Sequence, residues 1–143
     1  HTSEAKENVM IRTIKSVGIA ASLFALSSTA GFAEEAMGQA VFTQYCATCH
    51  GASGTGDGPL TEMITSKVPD LTKISMQNDG EFPMLDVIHI IDGRTGLRGH
   101  GGPMPTYGAV FASESFDAEF GSVIYTRAKI LSLAYFLESI QEP

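Results

Sequence analysis

The sequence predicts a small all-α domain, and three observations indicate this fold class. Three stretches place apolar residues at helical spacing, and segments rich in Gly or Pro separate these three stretches. No stretch alternates apolar and polar residues as a strand does. The sequence contains no internal repeat and no sign of a second domain. We therefore expect three helices joined by loops, over residues 35–46, 82–92 and 121–140.

The first helix is predicted from its charge and its apolar face. Glu35 lies in the first turn, where a negative charge interacts favourably with the helix dipole. Val41, Phe42 and Tyr45 recur at helical spacing and predict one apolar face. Residues 51–59 contain four glycines and a proline, and we expect them to form a loop after the helix.

The second helix is predicted from its boundaries and its aliphatic residues. Asp79 is a candidate N-cap, and Gly93 is expected to end the helix because glycine readily adopts left-handed backbone conformations. His89 is expected to be a packed core residue, since it shares the helix with aliphatic neighbours. The residues expected on or near the buried face are Leu85, Ile88, His89 and Ile91.

The third helix is predicted from an apolar stripe of several turns. Its apolar residues recur at steps of three and four, which is typical of a helix with one buried face. The residues of this expected stripe are Ile124, Ala128, Leu131 and Tyr135, widened by Ile130, Ala134 and Leu137. We interpret the acidic stretch over residues 111–120 as an insertion before the helix, with no assigned role.

Residues 1–33 are interpreted as an N-terminal extension and a secretory signal peptide that begins at Met10. Basic residues precede an apolar stretch over residues 17–26, and small residues lead to a cleavage site after Ala33. The apolar stretch is shorter than the roughly 20 residues of a membrane-spanning helix. An uncleaved anchor that tethers the domain to a membrane is the alternative. The mature domain is expected over residues 34–143, in the bacterial periplasm.

The charge balance narrows the choice of partners. The full chain has a formal net charge of −7, and residues 34–143 contain six Lys/Arg and fourteen Asp/Glu, a net charge of −8. Recognition of nucleic acid relies on basic patches, so we expect no nucleic-acid partner. An acidic surface permits docking to a partner with a basic site, although such charges also serve solubility alone.

Cys46, Cys49 and His50 form a C-x-x-C-H run, which is the attachment signal of a c-type haem. Each thiol can add to one vinyl group of the same porphyrin, and the histidine can bind the iron. A redox dithiol is one alternative, but it is expected beside a βαβ pattern, which the sequence lacks. A structural zinc site needs four ligands, and the chain has no further cysteine. The motif therefore predicts one covalently attached haem.

Met104 is the candidate for the second axial ligand of the iron. It lies between Pro103 and Pro105 in a glycine-rich segment, and a stiff loop suits a weakly held ligand. A thioether opposite an imidazole fills both axial positions and raises the reduction potential. The other methionines are interpreted as core filler, and His100 is the competing ligand, which would lower the potential through bis-His ligation.

The sequence resembles a class I monohaem cytochrome c of the bacterial periplasmic type. The resemblance rests on the two motifs above, on residues 58–60 (Gly-Pro-Leu), on residues 92–94 (Asp-Gly-Arg) and on the aromatic C-terminal helix. The resemblance covers nearly all of residues 36–141. It implies an all-α fold in which the N- and C-terminal helices cross around one covalently bound haem.

The resemblance also implies roles for individual residues. Gly38 and Tyr135, with Phe42 nearby, match the small and aromatic residues that pair where these two helices cross. The carbonyl of Pro59 is expected to accept a hydrogen bond from Nδ1–H of His50, which would fix the ring and strengthen the ligand.

Arg94 and Arg98 are candidates to pair with a haem propionate, since a buried carboxylate needs a hydrogen-bond donor. A docking face and simple solvated loop positions are the alternatives. We count Arg94 among the cofactor-binding residues and expect Arg94→Ala to shift the reduction potential. Tyr107 lies where members of this family often have an aromatic residue after Met-Pro.

The sequence thus predicts a periplasmic electron-transfer protein, a one-electron carrier with His50 and Met104 as axial ligands, rather than an enzyme. Its expected partners are redox proteins, such as a membrane oxidoreductase complex, a dehydrogenase or an oxidase, and it is expected to be a monomer. It would contact a membrane only if the N-terminal segment is uncleaved. A haem subunit of a periplasmic dehydrogenase complex is the alternative function. A peroxidase or ligand sensor needs an open iron position, which Met104 argues against.

Overall fold

The structure is a computed structural model, and it describes residues 29–94, 104–115 and 120–143. These residues contain helices and no strand, so the predicted all-α fold class is confirmed. The α-helices are α1 (Thr29–Tyr45), α2 (Ala47–His50), α3 (Met84–Asp92), α4 (Tyr107–Ser113) and α5 (Phe120–Ser139). Short 3₁₀ turns lie at Pro59–Met63, Leu71–Lys73 and Met76–Asn78.

The chain divides into two compact units, residues 1–33 and residues 34–143. Of the first unit, residues 29–33 are described, and they form the first residues of α1. The apolar stretch of the predicted signal peptide lies outside the described residues, and cleavage after Ala33 stays a prediction. No helix in the described part of the chain is long and apolar enough to cross a membrane.

Cys46 separates α1 from α2 at a tight turn of the backbone. The N–H of Cys46 still donates to the carbonyl of Phe42 at 2.8 Å, in the register of α1. The N–H groups of Cys49 and His50 then both donate to the carbonyl of Cys46, at 3.1 and 2.8 Å. The first predicted helix, over residues 35–46, is therefore present as α1, and α2 is a further single turn that contains Cys49 and His50.

The second predicted helix is present as α3. Gly93 ends it as predicted, with a left-handed φ of 65° and its N–H directed at the carbonyl of His89 at 2.9 Å. Asp79 is not its cap, because Pro83 occupies the N-cap position without a side-chain hydrogen bond. Asp79 instead ends the preceding 3₁₀ turn with a φ of 56°.

The buried face of α3 differs from the predicted one. Val87 and Ile91 are buried, whereas Leu85 is 71% exposed. His89 is also exposed, so the prediction of His89 as a core residue was wrong. A helix of only nine residues offers overlapping apolar faces. Its contacts with α4 and α5 determine which face is covered.

Helix α4 overlaps the start of residues 111–120, which we interpreted as an insertion. The first three of these residues belong to α4, and Phe111 is fully buried. The ring of Phe111 packs edge-on against that of Tyr45, with centroids 5.2 Å apart. The start of the supposed insertion is thus part of the core, while residues 116–119 lie outside the described residues.

The third predicted helix is present as α5, but its buried face is rotated from the predicted stripe. Ile124, Leu131 and Tyr135 are 69%, 37% and 42% exposed, so their prediction as core residues was wrong. The residues of α5 that are buried are Thr126, Ile130, Ser132, Leu133, Ala134, Phe136 and Leu137. Two polar residues in this set explain why hydropathy alone did not identify the face.

Helices α1 and α5 touch at Gly38. A Cβ at this position would overlap the carbonyl oxygen of Ser132 and would lie 2.7 Å from Cβ of Phe136, so glycine is required for the close approach. The rings of Phe42 and Phe136 lie with centroids 5.2 Å apart beside this contact. The aromatic partner of Gly38 is therefore Phe136 rather than Tyr135. A crossing of the two helices around a haem stays a prediction.

Candidate functional site

The C-x-x-C-H motif spans the break between α1 and α2. Cys46 is buried in front of α2, Cys49 is half-buried within it, and both thiols are free. His50 ends the same turn. Burial, with a smaller contribution from Cys49, raises the pKa of the Cys46 thiol to about 12, so this thiol is protonated at neutral pH.

The surroundings of His50 favour the neutral form of its imidazole. Burial lowers the pKa of its imidazole, and this effect outweighs the hydrogen bond to the backbone at Pro69, which raises it. Nδ1 of His50 lies 3.3 Å from the carbonyl oxygen of Pro69. A neutral ring that donates through Nδ1 has its lone pair on Nε2, which is the form that binds a metal.

The structure places Pro69, and not Pro59, against the imidazole of His50. Two backbone hydrogen bonds produce this arrangement: the N–H of Gly56 donates to the carbonyl of His50 at 2.8 Å, and the N–H of Leu71 donates to the carbonyl of Gly54 at 2.7 Å. The second bond returns the chain to α2 at residues 69–71. The predicted hydrogen bond from His50 to the carbonyl of Pro59 is thus replaced by one to the carbonyl of Pro69, which the sequence analysis missed. The only sequence signal for this contact was the proline itself, which indicates a loop at residue 69.

Pro59 lies nearby but has a different part in the structure. It begins a 3₁₀ turn, and the preceding Gly58 donates its N–H to the carbonyl of Cys49 at 3.2 Å. A Cβ at Gly58 would lie 2.5 Å from the carbonyl oxygen of Thr48, so the loop rests directly on the backbone of α2. Gly58 therefore anchors this turn to the attachment motif.

Met104 precedes α4 and is 37% exposed. Exposure alone does not identify Met104 as a ligand, since Met63 and Met76 are also exposed, at 79% and 55%. What distinguishes Met104 is the chain that follows it. The hydroxyl of Tyr107 donates to the carbonyl of Tyr45 at 2.6 Å, which brings this chain to the residue before Cys46.

Arg94 is engaged by a carboxylate on the same loop. Its Nε and Nη2 donate to the two carboxylate oxygens of Asp92, at 2.5 and 3.0 Å. The hydrogen bonds from Arg94 lower the pKa of Asp92 despite partial burial of the carboxyl group. A Cβ at Gly108 would overlap this ion pair, so the pair rests on the start of α4. Arg98 and His100 lie outside the described residues.

A second charged pair links α4 to α5. Nζ of Lys129 lies 2.7 Å from a carboxylate oxygen of Glu114, and the hydroxyl of Tyr45 donates to the other oxygen at 2.7 Å. The ammonium group also lies 4.9 Å from the ring centroid of Phe111. These contacts connect α1, α4 and α5 behind the attachment motif.

A cavity of about 810 Å³ lies between the loops of residues 55–77. Pro69 contributes to its lining, but neither thiol of the motif, His50 nor Met104 does. The cavity is therefore not the place where a group bound to these thiols would sit.

The donor set of the motif fits a covalently attached haem. Two free thiols and an imidazole whose Nδ1 faces a carbonyl, which leaves Nε2 available, lie within five consecutive residues. The zinc alternative requires four ligands, and the described ranges contain no cluster of even three His, Cys, Asp or Glu side chains that could hold a metal ion. The redox-dithiol alternative expects a βαβ unit, and no strand occurs in the same ranges.

Comparison with known proteins agrees with this chemistry. The family model described as "Cytochrome c" matches residues 35–141, which is most of the chain. No curated protein and no solved structure matches the chain.

Proposed function

This chain belongs to the cytochrome c family, and we propose that it is a periplasmic one-electron carrier whose haem iron is bound by His50 and Met104. The family identifies the cofactor as covalently bound haem c and the role as electron transfer rather than catalysis. The location, the axial ligands and the partners are the proposed part.

The observation that best supports the proposal is the contact of His50 with Pro69. Because Nδ1 faces the carbonyl oxygen at 3.3 Å, Nε2 is left to bind iron. The haem, when bound, supplies an iron that gains and loses one electron. Cys46 and Cys49 would hold the porphyrin through two thioether bonds, and their positions directly before and within the turn that ends at His50 support this role.

Met104 is proposed as the ligand on the opposite face of the haem. Its thioether would fill the remaining axial position and favour the ferrous state. The hydrogen bond from Tyr107 to the carbonyl of Tyr45 supports this role, because it ties the chain after Met104 to the attachment motif. An iron with both positions filled transfers an electron with little rearrangement.

The proposed partners are redox proteins of the periplasm or its membrane. The net charge of −8 over residues 34–143 supports docking to basic sites rather than to nucleic acid. We propose a monomer, released from residues 1–33 by signal cleavage. An uncleaved N-terminal segment would instead tether the same domain to the membrane.

A haem subunit of a periplasmic dehydrogenase complex is the second candidate. Met63, Leu85 and Ile124 are 79%, 71% and 69% exposed, but apolar side chains exposed singly are normal on a protein surface and do not by themselves indicate a permanent partner. A permanent interface is larger and more apolar than a transient one. Purification of the tagged chain from its periplasm separates the two candidates: a monomer supports the carrier, and a stoichiometric catalytic chain supports the subunit.

Optical spectroscopy of the purified holoprotein tests the axial ligands. We expect a low-spin c-type spectrum with a thioether-to-iron band in the oxidised form, and no reaction of the reduced form with carbon monoxide. Met104→Ala is expected to abolish the band and to admit carbon monoxide. Met63→Ala and Met76→Ala are matched controls that retain the parent spectra. Rapid carbon monoxide binding by the unmodified protein would contradict the proposal and indicate an open iron site.

A further inference from the structure

Tyr107 connects the two halves of the proposed haem site. It is the first residue of α4, three residues after Met104, and its hydroxyl donates to the carbonyl of Tyr45 at 2.6 Å. We infer that Tyr107 is a positioning residue: this hydrogen bond holds the Met104 loop against the attachment motif and keeps Met104 on the iron. The inference rests on the proposed function, since it takes Met104 as the axial ligand.

The carbonyl of Tyr45 lies at a break in the helical ladder. In a continuous helix it would accept from the N–H of Cys49, four residues on. The N–H of Cys49 donates to the carbonyl of Cys46 instead, because the chain turns tightly between α1 and α2. The hydroxyl of Tyr107 therefore satisfies an acceptor that the attachment motif itself leaves open.

The ring of Tyr107 is fixed by packing. The side chain is 9% exposed. Its ring lies edge-on to Tyr45, with centroids 6.1 Å apart, and it also packs against Phe111 at 5.6 Å. A ring held in this way presents its hydroxyl in one direction, so the hydrogen bond defines where α4 begins.

The connection from Tyr107 to Met104 is short. Three residues of extended chain span at most about 11 Å, so the start of α4 limits how far Met104 can move. Pro105 lies within this connection and restricts its backbone further. The Asp92–Arg94 ion pair, which rests on Gly108, holds the same segment from the other side.

Imidazole binding to the oxidised holoprotein tests the inference, because imidazole must displace Met104. Tyr107→Phe removes one oxygen atom and retains the ring. If the hydrogen bond makes a typical net contribution, this variant should bind imidazole about fivefold more tightly than the parent. Tyr45→Phe is the matched control: it removes a hydroxyl from the same aromatic cluster but leaves the carbonyl that Tyr107 contacts. Its imidazole affinity should stay close to that of the parent.

Two results would overturn the inference. One is an imidazole affinity of Tyr107→Phe that equals that of the parent. The other is an equal increase in Tyr45→Phe, which would indicate general loosening of the cluster. Met104→Ala distinguishes failure of this inference from failure of the proposed function. If Met104→Ala retains the thioether-to-iron band, Met104 is not the ligand and both proposals fall. If it loses the band, Met104 is the ligand and only the role of Tyr107 is overturned.

A measurement on the unmodified protein replaces Tyr107→Phe if that variant does not retain haem. Coupling between two interactions is reciprocal, so displacement of Met104 must weaken the Tyr107 hydrogen bond. Proton NMR of the oxidised protein, with and without saturating imidazole, should show faster solvent exchange of the Tyr107 hydroxyl proton when imidazole is bound. An exchange rate that imidazole leaves unchanged, or a hydroxyl already in fast exchange without it, would overturn the inference.

Discussion

The carbonyl oxygen of Pro69 lies 3.3 Å from Nδ1 of His50, although the two residues are nineteen positions apart in the chain. The hydrogen bond from Leu71 to Gly54 closes the intervening loop and returns Pro69 to the imidazole. Closure of this loop, rather than closeness in the sequence, therefore makes Pro69 the hydrogen-bond partner of His50, the proposed iron ligand.

Pro69→Ala is expected to raise the reduction potential. The carbonyl is retained, but the backbone is less fixed, so the hydrogen bond from Nδ1 weakens and the imidazole donates less charge to the ferric iron. Loss of a typical hydrogen bond would shift the potential by up to about 40 mV. Redox titration measures the shift. Pro59→Ala is the control, and a larger shift in the control would contradict the role of Pro69.

Gly38→Ala is expected to destabilise the holoprotein, although alanine is the better helix former by about 1 kcal/mol. The added methyl group would overlap the carbonyl oxygen of Ser132, and backbone atoms cannot yield as a flexible side chain can. Overpacking of this kind costs about 1–3 kcal/mol. Denaturant unfolding measures the difference, with Gln39→Ala as an exposed control on the same helix. A variant as stable as the parent would show that α1 and α5 separate at little cost.

The Glu114–Lys129 pair predicts a loss of stability in acid. Hydrogen bonds from Lys129 and then from Tyr45 lower the pKa of Glu114 in the folded protein. A group with a lowered pKa stabilises the fold above its unfolded pKa, about 4.3 for glutamate, and this contribution disappears as the pH falls through the folded pKa. Unfolding measured between pH 3 and 7 should show a shallower acid slope in Glu114→Gln than in the parent. Tyr45→Phe should fall between them, and identical slopes in all three proteins would contradict the assignment.

Arg94→Ala is expected to lower the reduction potential, on the proposal that Arg94 lies near a haem propionate. A positive charge favours the ferrous state, and a charge about 10 Å from the iron changes the potential on the order of 20–70 mV. Asp92→Asn removes the carboxylate that pairs with Arg94 and should shift the potential in the opposite direction. An unchanged potential together with unchanged haem retention in Arg94→Ala would show that the residue serves only the Asp92 pair.

Local sequence features predicted the parts of this protein that depend on neighbouring residues. The C-x-x-C-H motif predicted haem attachment because its residue types stand at a fixed short spacing, with Cys46 directly before α2 and with Cys49 and His50 inside it. Gly93 predicted the end of α3 because a left-handed residue is needed there. The close helix contact at Gly38 was implied by the family resemblance, and the structure has a close contact there.

Features that depend on distant residues were predicted less well. The stripe through Ile124, Leu131 and Tyr135 has helical spacing, yet these side chains are exposed while Thr126 and Ser132 are fully buried. Periodicity identifies a helix, but the neighbouring elements decide which of its overlapping faces they cover. Burial of Phe111 was not predicted either, because α4 has only seven residues and is too short to show a stripe of its own.

The sequence by itself determined the all-α class, the haem and the attachment residues, because each depends on residue types at fixed short spacings. The tertiary structure decided which proline faces His50 and which aromatic ring packs beside Gly38. It also decided that Tyr107 reaches the carbonyl of Tyr45, sixty-two positions away. These contacts join residues far apart in the chain, and their partners are selected by the packing of whole helices and the closure of loops, which no short spacing encodes.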